Sequence, residues 1–406
     1  MYEKRLKIAI ITPGKLPLPS VKGGAVETLI NYILDVNEKE KKLEIEVYSV
    51  NDNEAKKISK KYKFSKFIYI CFKSDNKHLI FIKRILHKFF NVDIRLSKKY
   101  IKDINNKITN KKYDYIIIEN NFEIFKYIKY PLSKKIIHIH NSHLSNLDDK
   151  DYELLKKSAG IIAVSEFIKN EIQGKHIDMS IYKLINCCEI SKYGKNLYKD
   201  FRYDFRSKNK INDNTPVCIF AGRLDKTKGI LELIRAFQNV NNDVVLLVVG
   251  SSWFSTNKST EFTRLLEHQC NYVTNKIIFT GYIPFNEMPK YYACADIACL
   301  PSIWEEPCGN TIIESICSEL PIISTVSGGI PELINSENAV LISRDDMLVN
   351  NLTKSINDLS NDITKRNKLS LEMSKIKGNY DVNNYYFNFL NILNKISERS
   401  YDNERT

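Results

Sequence analysis

The sequence lacks the features of a disulfide scaffold, a zinc ribbon or a membrane span. Nine cysteines occur in 406 residues, but the number is odd and no Cys-x-x-Cys pair is present. This scatter, with Cys187 beside Cys188, argues against a disulfide framework and indicates a reducing compartment. The apolar runs Leu6–Ile11 and Val244–Val249 are too short for a signal peptide or a membrane helix. We therefore expect a soluble, cytoplasmic protein that is not exported.

The net charge of +13 leaves the class of partner open. A composition rich in Lys, Ile and Asn accounts for it, as an AT-rich genome would encode such a chain. The functional alternative is an acidic partner such as a membrane, a nucleic acid or a nucleotide. At about 150 residues per domain, the length predicts two or three domains.

Short apolar runs alternate with helix-length amphipathic segments along the chain. The pattern restarts after the polar break Asn209–Thr215, and it predicts two doubly wound α/β halves, each with a parallel sheet between helices. The predicted strands are Leu6–Thr12, Leu43–Val50, Phe67–Cys71, Tyr113–Glu119, Lys135–His140, Gly160–Val164, Ile181–Ile185, Pro216–Ala221, Val244–Val249, Lys276–Thr280, Asp296–Leu300 and Pro321–Thr325. Because ligands bind beyond the carboxyl ends of such strands, we expect a site between the halves.

The stretch from Glu306 to Glu314 has the pattern of an anion site. Pro307 and Gly309 make a tight loop after a strand, and Asn310 begins a predicted helix that runs to about Glu319. A helix N-terminus offers free N–H groups and a partial positive charge, which suit a phosphate. Carboxylates at this spacing can accept hydrogen bonds from sugar hydroxyls. The alternative is a capped helix with two acids that face solvent.

Two loops that follow predicted strands carry further candidates. Arg223 and Lys228 follow a strand of the second half, where two cations would stabilise the charge that develops on a leaving diphosphate. The alternative is a pair of solvated loop charges. Gly23 and Gly24 lie between the first strand and helix, where glycine lets the backbone approach a ligand. They do not form Gly-x-Gly-x-x-Gly, which disfavours a dinucleotide site.

Three histidines cluster at the end of one predicted strand. His138 and His140 share a strand face, and His143 follows. A metal site is the alternative here, but no carboxylate or cysteine completes a familiar ligand spacing in the sequence. We therefore predict no metal site and a structural role for His138.

Taken with its neighbours, Glu306-x7-Glu314 resembles the signature of the family 4 retaining glycosyltransferases, which have the GT-B fold. The resemblance covers nearly the whole chain and is strongest to the bacterial polysaccharide and spore-coat type. The other stretches that carry it are Leu16–Gly24, Gly222–Gly229, Gly250–Phe254, Gly281–Pro284 and Ser327–Glu332.

The resemblance implies two Rossmann-like domains that face each other across a cleft. Residues 1–190 would form the acceptor-side domain, joined by the last helix, 382–400. Residues 191–381 would bind the nucleotide sugar. The implied reaction moves a hexose-type sugar from a nucleoside diphosphate, expected to be UDP, to a hydroxyl of a glycan or lipid-linked glycan. It would proceed with retention, without an enzyme nucleophile, a metal or a cofactor, in the synthesis of cell-surface polysaccharide or glycolipid.

The resemblance also assigns roles to residues. Arg223 and Lys228 would bind the diphosphate, Glu306 the donor-sugar hydroxyls and Glu314 the ribose. His140 would border the donor sugar from the first domain. The remaining expected donor-binding residues are Gly23, Gly24, Gly222, Gly250, Tyr282, Ile283, Gly309, Asn310 and Thr311.

This sequence departs from the family pattern at three places. Cys308 replaces the usual Phe, which would change the shape beside the donor sugar. Asn186-Cys-Cys-Glu189 stands where Asn-Gly-x-Asp is usual, which would alter a turn that links the domains. Asn141 stands where an acidic residue is often found.

Leu79–Phe90 mixes large apolar residues with lysine and arginine, and basic runs flank it at Lys56–Lys66 and Lys98–Lys112. Such a helix can lie in an anionic membrane interface, which predicts peripheral membrane contact. The alternative is an ordinary helix that packs on the core with a solvated basic face.

Two rival functions stay open. A GT-B nucleotide-sugar epimerase would turn over the donor without an acceptor. A basic binder of membrane or nucleic acid, without enzymatic activity, would tolerate loss of Glu306 and Lys228.

Overall fold

The chain forms two compact units, and each is described separately. Residues 1–184 and 385–406 make the first unit, and residues 185–384 make the second. The structure is a computed structural model that describes residues 5–70, 94–144, 147–174, 179–251 and 260–405.

The first unit is built on a seven-stranded parallel sheet with the order β3-β2-β1-β4-β5-β6-β7. Its strands are rich in isoleucine and valine, and the central ones are buried on both faces, as parallel strands covered by helices require. The strands are β1 Leu6–Ile11, β2 Leu43–Val50, β3 Ser65–Ile70, β4 Tyr115–Glu119, β5 Lys135–Ile139, β6 Gly160–Ala163 and β7 Ile181–Lys183.

Helices connect these strands, and side chains cap several of them. The Ser165 hydroxyl, for example, accepts a hydrogen bond from the Ile168 N–H at the start of one helix. The helices are α1 Ala25–Glu40, α2 Asn53–Ser59, α3 Ile94–Ile108, α4 Phe122–Tyr127, α5 Asp149–Lys156 and α6 Glu166–Gln173. The last helix of the chain, Val382–Arg405, also packs here: Tyr386 donates a hydrogen bond to Asn37 Oδ1 over 2.7 Å.

The second unit repeats the plan with a six-stranded parallel sheet in the order β10-β9-β8-β11-β12-β13. The strands are β8 Val217–Ala221, β9 Val245–Val249, β10 Ile277–Phe279, β11 Ile297–Leu300, β12 Ile322–Thr325 and β13 Val340–Ile342. The helices are α7 Lys199–Lys208, α8 Ile230–Phe237, α9 Glu261–Cys270, α10 Met288–Cys294, α11 Asn310–Cys317, α12 Leu348–Asn361 and α13 Ile363–Ile376. The last helix, named α14, begins at Val382.

Alternate residues of β8 show how helices cover both faces of this sheet. Val217 and Ile219 belong to one buried hydrophobic cluster, which includes residues of α10 and α11. Cys218 and Phe220 belong to another, which includes residues of α8 and α12. The period of two sends successive side chains to opposite faces, so the unit has one core on each side of the sheet.

The predicted fold class, two doubly wound α/β halves, is confirmed. The predicted strands occur, with ends that differ by one or two residues. Strand β13 was not predicted, because Val340–Ile342 is too short to show a period. The predicted helix at Leu79–Phe90 lies outside the described residues. Within the described part of the chain, every helix is too short or too polar to cross a membrane.

Both sheets reverse their strand order between two central strands. The reversal lies at β1 and β4 in the first unit and at β8 and β11 in the second. Loops diverge at such a point and leave a crevice beyond the carboxyl ends of the strands. Most of the residues singled out in the sequence follow the carboxyl ends of strands of these sheets, and Asn310, Thr311 and Glu314 lie in α11.

Candidate functional site

A small, half-open pocket lies beyond the carboxyl ends of β8 and β11 in the second unit. It is lined by Phe220, Ala221, Lys228, Leu300, Ser302, Glu306, Gly309, Thr311, Ile312 and Ile330. Four residues that the sequence singled out, Lys228, Glu306, Gly309 and Thr311, therefore surround one space, although they come from two separate stretches of the chain.

Lys228 and Glu306 bind each other at this pocket. Lys228 ends a short 3-10 turn after β8, which begins where Asp225 accepts a hydrogen bond from the Thr227 N–H. Its ammonium nitrogen lies 2.5 Å from Glu306 Oε1 and 5.4 Å from the centre of the Trp304 ring. The cation is therefore held between a carboxylate and an aromatic face.

Hydrogen bonds and close packing fix both the side chain and the backbone of Glu306. Glu306 Oε1 also accepts a hydrogen bond from the Ser302 hydroxyl at 2.8 Å. The Glu306 carbonyl accepts one from the Gly329 N–H at 2.7 Å. Gly328 has a left-handed φ of +49°, and a Cβ there would lie 2.3 Å from the Glu306 carbonyl oxygen. Only glycine therefore allows these two segments to pack so closely.

Gly229 plays a similar part on the lysine side of the pocket. Its φ is +71°, and a Cβ at this residue would lie 1.8 Å from the Pro301 carbonyl oxygen. Ile303 N–H donates to the Thr227 carbonyl oxygen at 2.9 Å nearby. These contacts hold the loop that carries Lys228 against the loop that carries Glu306.

Helix α11 begins at the edge of the pocket without a side-chain cap. Gly309 is its N-cap residue and makes no side-chain hydrogen bond to the first turn. Thr311, in that turn, lines the pocket. Asn310 Oδ1 instead accepts a hydrogen bond from Asn186 Nδ2 at 2.7 Å. An uncapped helix start beside a lysine is suited to bind a phosphate group.

Glu314 lies one turn further along α11 and is buried. Its carboxyl accepts a hydrogen bond from the Tyr292 hydroxyl at 2.8 Å, and burial raises its pKa to about 7. Glu314 is not among the residues that line the pocket, whereas Glu306 is. Contact between Glu314 and a ribose stays a prediction, and it requires a ligand that reaches the buried carboxyl.

The other expected donor-binding residues of this unit lie in loops beside the pocket. Arg223 is half exposed and pairs with Asp225 at 3.3 Å. The Gly222 N–H donates to the Val249 carbonyl, and the Gly250 N–H donates to the Gly281 carbonyl, so neighbouring strand ends are joined. Tyr282 and Ile283 follow and are half-buried. Their roles stay predictions, and Trp253 and Phe254 lie outside the described residues.

Cys308 occupies the place where the family usually has Phe. Its side chain packs against the hydrophobic cluster that contains Ile312 and Ile316. Burial raises the pKa of its thiol to about 12, so the thiol stays neutral and behaves as a small apolar group. The departure at Asn186–Glu189 is tied into the same unit, since the Cys188 N–H donates to the Tyr380 carbonyl at 2.8 Å.

In the first unit, Glu119 and two histidines form a buried group at the carboxyl ends of β4 and β5. Glu119 and His138 are register partners on these strands, and His140 lies two residues further on. Glu119 Oε2 is 3.0 Å from His140 Nε2 and 3.1 Å from His138 Nδ1. The contact with His140 is a hydrogen bond, whereas the contact with His138 does not have hydrogen-bond geometry.

Burial and charge set the protonation of this group. Burial alone would raise the pKa of Glu119, but the imidazoles of His138 and His140 outweigh it and hold the pKa at about 2. Burial, helped by the charge of His138 and opposed by Glu119, lowers the pKa of His140 to about 4. At neutral pH, Glu119 is therefore ionised and His140 is neutral.

Glu119 was not predicted from the sequence, and the prediction that no carboxylate joins the histidines was wrong. A carboxylate does complete the pair of histidines: one ligand atom from each of Glu119, His138 and His140 lies within 4.8 Å of the others. A signal existed, because Glu119 ends the strand that neighbours β5 in a parallel sheet. The absence of a metal stays a prediction. The side chain of His143 lies outside the described residues.

The glycine loop of the first unit leads into α1. Gly23 and Gly24 have left-handed φ values of +73° and +101°, and Gly24 is the N-cap residue of α1. Glu27, in the first turn, is buried, and burial raises its pKa to about 7, with a smaller contribution from the charge of Glu119. The approach of this loop to a donor phosphate stays a prediction.

Comparison with known proteins shows a similarity to glycosyltransferases. Residues 201–374 match the family model described as glycosyl transferases group 1. Spore coat protein SA of Bacillus subtilis (strain 168) is 23% identical over 377 residues, which cover 90% of this chain and 92% of that protein. The lipopolysaccharide 1,2-N-acetylglucosaminetransferase of Salmonella typhimurium is 24% identical over 258 residues, or 62% of this chain and 65% of that protein.

Solved structures share the fold. The crystal structure of Anabaena Alr3699/HepE in complex with UDP-glucose superimposes with a TM-score of 0.71, at 17% identity, over 96% of this chain and 100% of that one. The group 1 match lies in the second unit, where the pocket is, and the shared fold covers nearly the whole chain. The second unit therefore matches the glycosyl transferases group 1, and the chain has the GT-B fold of two Rossmann-like domains.

Proposed function

We propose that the protein is a retaining glycosyltransferase that moves a hexose-type sugar from a nucleoside diphosphate to an acceptor hydroxyl. The observation that supports this most is the pairing of Lys228 with Glu306 beside the uncapped start of α11. A cation and free N–H groups suit a diphosphate, and a carboxylate suits sugar hydroxyls. One pocket therefore offers hydrogen-bond partners both to the diphosphate and to the sugar of a donor.

In the proposed reaction, the bond between the anomeric carbon and the terminal phosphate oxygen breaks while the acceptor oxygen bonds to the same carbon. The leaving nucleoside diphosphate takes the electron pair and gains negative charge, which Lys228, Arg223 and the helix start would stabilise. The proton of the acceptor hydroxyl passes to the leaving phosphate. The acceptor enters on the face that the phosphate leaves, which retains the configuration.

The comparisons favour a UDP-linked donor and a cell-surface acceptor. Anabaena Alr3699/HepE, which shares the fold, was solved with UDP-glucose. One relative is a spore coat protein and another acts on lipopolysaccharide, as their names state. We therefore propose UDP-sugar as the substrate and a glycan or lipid-linked glycan as the acceptor. The cations of the protein would serve in place of a metal or cofactor.

We also propose that the enzyme acts in the cytoplasm, in peripheral contact with the inner face of the membrane. The net charge of +13 and exposed lysines on the first unit support this. The exposed lysines of α2 and α3 include Lys56, Lys57, Lys98, Lys99 and Lys102. Sedimentation with anionic vesicles at low salt is the test, with neutral vesicles as the control. Failure to sediment would remove this part of the proposal.

A donor screen followed by a transfer assay tests the main proposal. A true donor raises the melting temperature by mass action, and the best one should then undergo slow hydrolysis and transfer. Lys228→Met and Glu306→Gln should each reduce transfer by about 10²–10³-fold with the fold preserved. Lys377→Met is the matched control, because Lys377 pairs with Glu319 at 2.5 Å and does not line the pocket.

Two results would contradict the proposal. Isomerisation of the donor without an acceptor would identify an epimerase. Full function in both pocket variants would indicate a binding protein, whose activity depends on the basic surface instead. In either case the control variant Lys377→Met should behave as the unaltered protein.

A further inference from the structure

His140 is held at both its backbone and its ring by two consecutive residues. The His140 N–H donates to Asn120 Oδ1 at 3.0 Å, and its Nε2 lies 3.0 Å from Glu119 Oε2. Asn120 has a left-handed φ of +46°, and its own N–H donates to the His138 carbonyl at 2.8 Å. The end of β4 is therefore shaped around the residue that follows β5.

The hydrogen bond that Glu119 accepts determines which ring nitrogen of His140 carries the proton. An ionised carboxylate only accepts hydrogen bonds, so Nε2 of His140 must be the donor. His140 is neutral at neutral pH because its pKa is lowered, mainly by burial. A neutral imidazole has one N–H, so Nδ1 carries a lone pair and accepts hydrogen bonds.

Neighbouring side chains fix the orientation of the His140 ring and leave a small part of it exposed. The rings of His138 and His140 lie 4.0 Å apart between centroids, which limits rotation of the His140 ring. The side chains of Glu119 and His138 are 1% exposed, whereas that of His140 is 8% exposed. Of these three groups, His140 is therefore the most exposed.

We propose that Glu119 is a positioning residue that keeps His140 in its Nε2–H tautomer, so that Nδ1 accepts a hydrogen bond from a substrate hydroxyl. The proposal rests on the proposed function and on the place beside the donor sugar that the family resemblance implies for His140. A sugar hydroxyl can donate a hydrogen bond as well as accept one. An acceptor in a fixed position, here Nδ1 of His140, therefore favours the hydroxyl rotamer whose O–H points toward it. Glu119 acts only through His140 and does not itself contact substrate.

The tautomer is measured directly in the full-length chain labelled with 15N-histidine. Only seven histidines are present, and the spectrum of His140→Ala identifies the His140 signals. Long-range 1H–15N correlations at pH 7 should show His140 in the Nε2–H form. In Glu119→Gln this preference should weaken, because the amide can donate as well as accept. A His140 ring in the Nδ1–H form in the unaltered protein would overturn the proposal.

Kinetics then separate positioning from a merely structural effect. Glu119→Gln should lower kcat by about 10–100-fold, as loss of an orienting partner commonly does, with little change in the donor KM. In a His140→Ala background, Glu119→Gln should cause no further loss, because the two residues act as one unit. Additive losses in the double variant would contradict the proposal.

Glu46→Gln provides the matched control. Glu46 is also a buried carboxyl of the first unit, and its side-chain partners among the described residues are Tyr113 and Lys111, each at 2.5 Å, rather than the histidines. Its substitution should lower stability without any change in the His140 tautomer. A different result separates the two proposals: no donor is turned over, but His140 is in the Nε2–H form and this preference depends on Glu119. The proposed function then fails, whereas the role of Glu119 in fixing the tautomer stands.

A bound metal ion is a further outcome of the same spectra. Stoichiometric Zn²⁺ that shifts the ring signals of both His138 and His140, together with loss of transfer after chelation, would overturn the proposal. The Glu119 group would then be a metal site, and its three residues would act as ligands rather than as a hydrogen-bonded pair with a packed neighbour.

Discussion

The Lys228–Glu306 pair gives the sharpest prediction, because its two members are buried to different extents. The Glu306 side chain is 11% exposed and that of Lys228 is 23% exposed. Among the described residues, Lys228→Met leaves the Glu306 carboxylate with the Ser302 hydroxyl at 2.8 Å as its one side-chain partner. A nearly buried charge that loses its counter-ion destabilises the folded state far more than a solvated one does.

The magnitude follows from that partial burial. Breaking a fully buried pair costs about 3–5 kcal/mol, and an exposed pair is worth about 0–1 kcal/mol. This pair lies between these limits, so we expect Lys228→Met to lower the free energy of unfolding by about 2 kcal/mol. For a unit of this size, that corresponds to a fall of roughly 4–8 °C in melting temperature.

Glu306→Gln should cost less, because the ammonium it releases keeps the face of Trp304 and reaches solvent more easily. Adding Glu306→Gln to Lys228→Met should recover about 1 kcal/mol, since it removes the uncompensated charge. Transfer activity should nevertheless stay low in all three variants.

Denaturant unfolding of the four proteins, with Lys377→Met as the control for an exposed pair, measures these differences. Lys377 and Glu319 are 33% and 40% exposed, so that variant should change stability by less than about 1 kcal/mol. Equal losses from Lys228→Met and Lys377→Met, or strict additivity in the double variant, would refute the reasoning.

Three further predictions follow from other contacts. Gly328→Ala should lower the free energy of unfolding by about 1–3 kcal/mol and reduce transfer, because the new Cβ would press on the Glu306 carbonyl. Gly378→Ala is the control, because Gly378 has open space around it and its substitution should be nearly neutral. Denaturant unfolding measures both changes. Burial raises the pKa of Glu314 from 4.5 to about 7, so its contribution to stability is present below about pH 4.5 and is lost as the pH rises through about 7. Melting temperatures across this range should therefore fall more in the unaltered protein than in Glu314→Gln, and parallel curves would contradict this. Arg223→Met should lower kcat while leaving the melting temperature nearly unchanged, because its ion pair with Asp225 is half exposed, and a large loss of stability would show that the residue is structural.

The sequence predicted the fold well because parallel strands buried on both faces are short apolar runs that are easy to recognise. It predicted less about the site, because contacts between distant segments have no local signal. Lys228 and Glu306 were assigned separate partners, and only the packing of Gly229 and Gly328 brings the two side chains together. Glu119 was missed because its importance depends on the strand beside it.

The Lys228–Glu306 pair also bears on how the pocket distinguishes an intact donor from a spent one. A phosphate that takes Lys228 must free Glu306 from its counter-ion, and a donor sugar compensates with its own hydroxyls. A nucleoside diphosphate without its sugar also takes Lys228 away from Glu306, but it has no sugar hydroxyls to donate to the Glu306 carboxylate. We therefore expect weak product inhibition, because the Lys228–Glu306 ion pair would form again and favour release of the nucleoside diphosphate after each turnover.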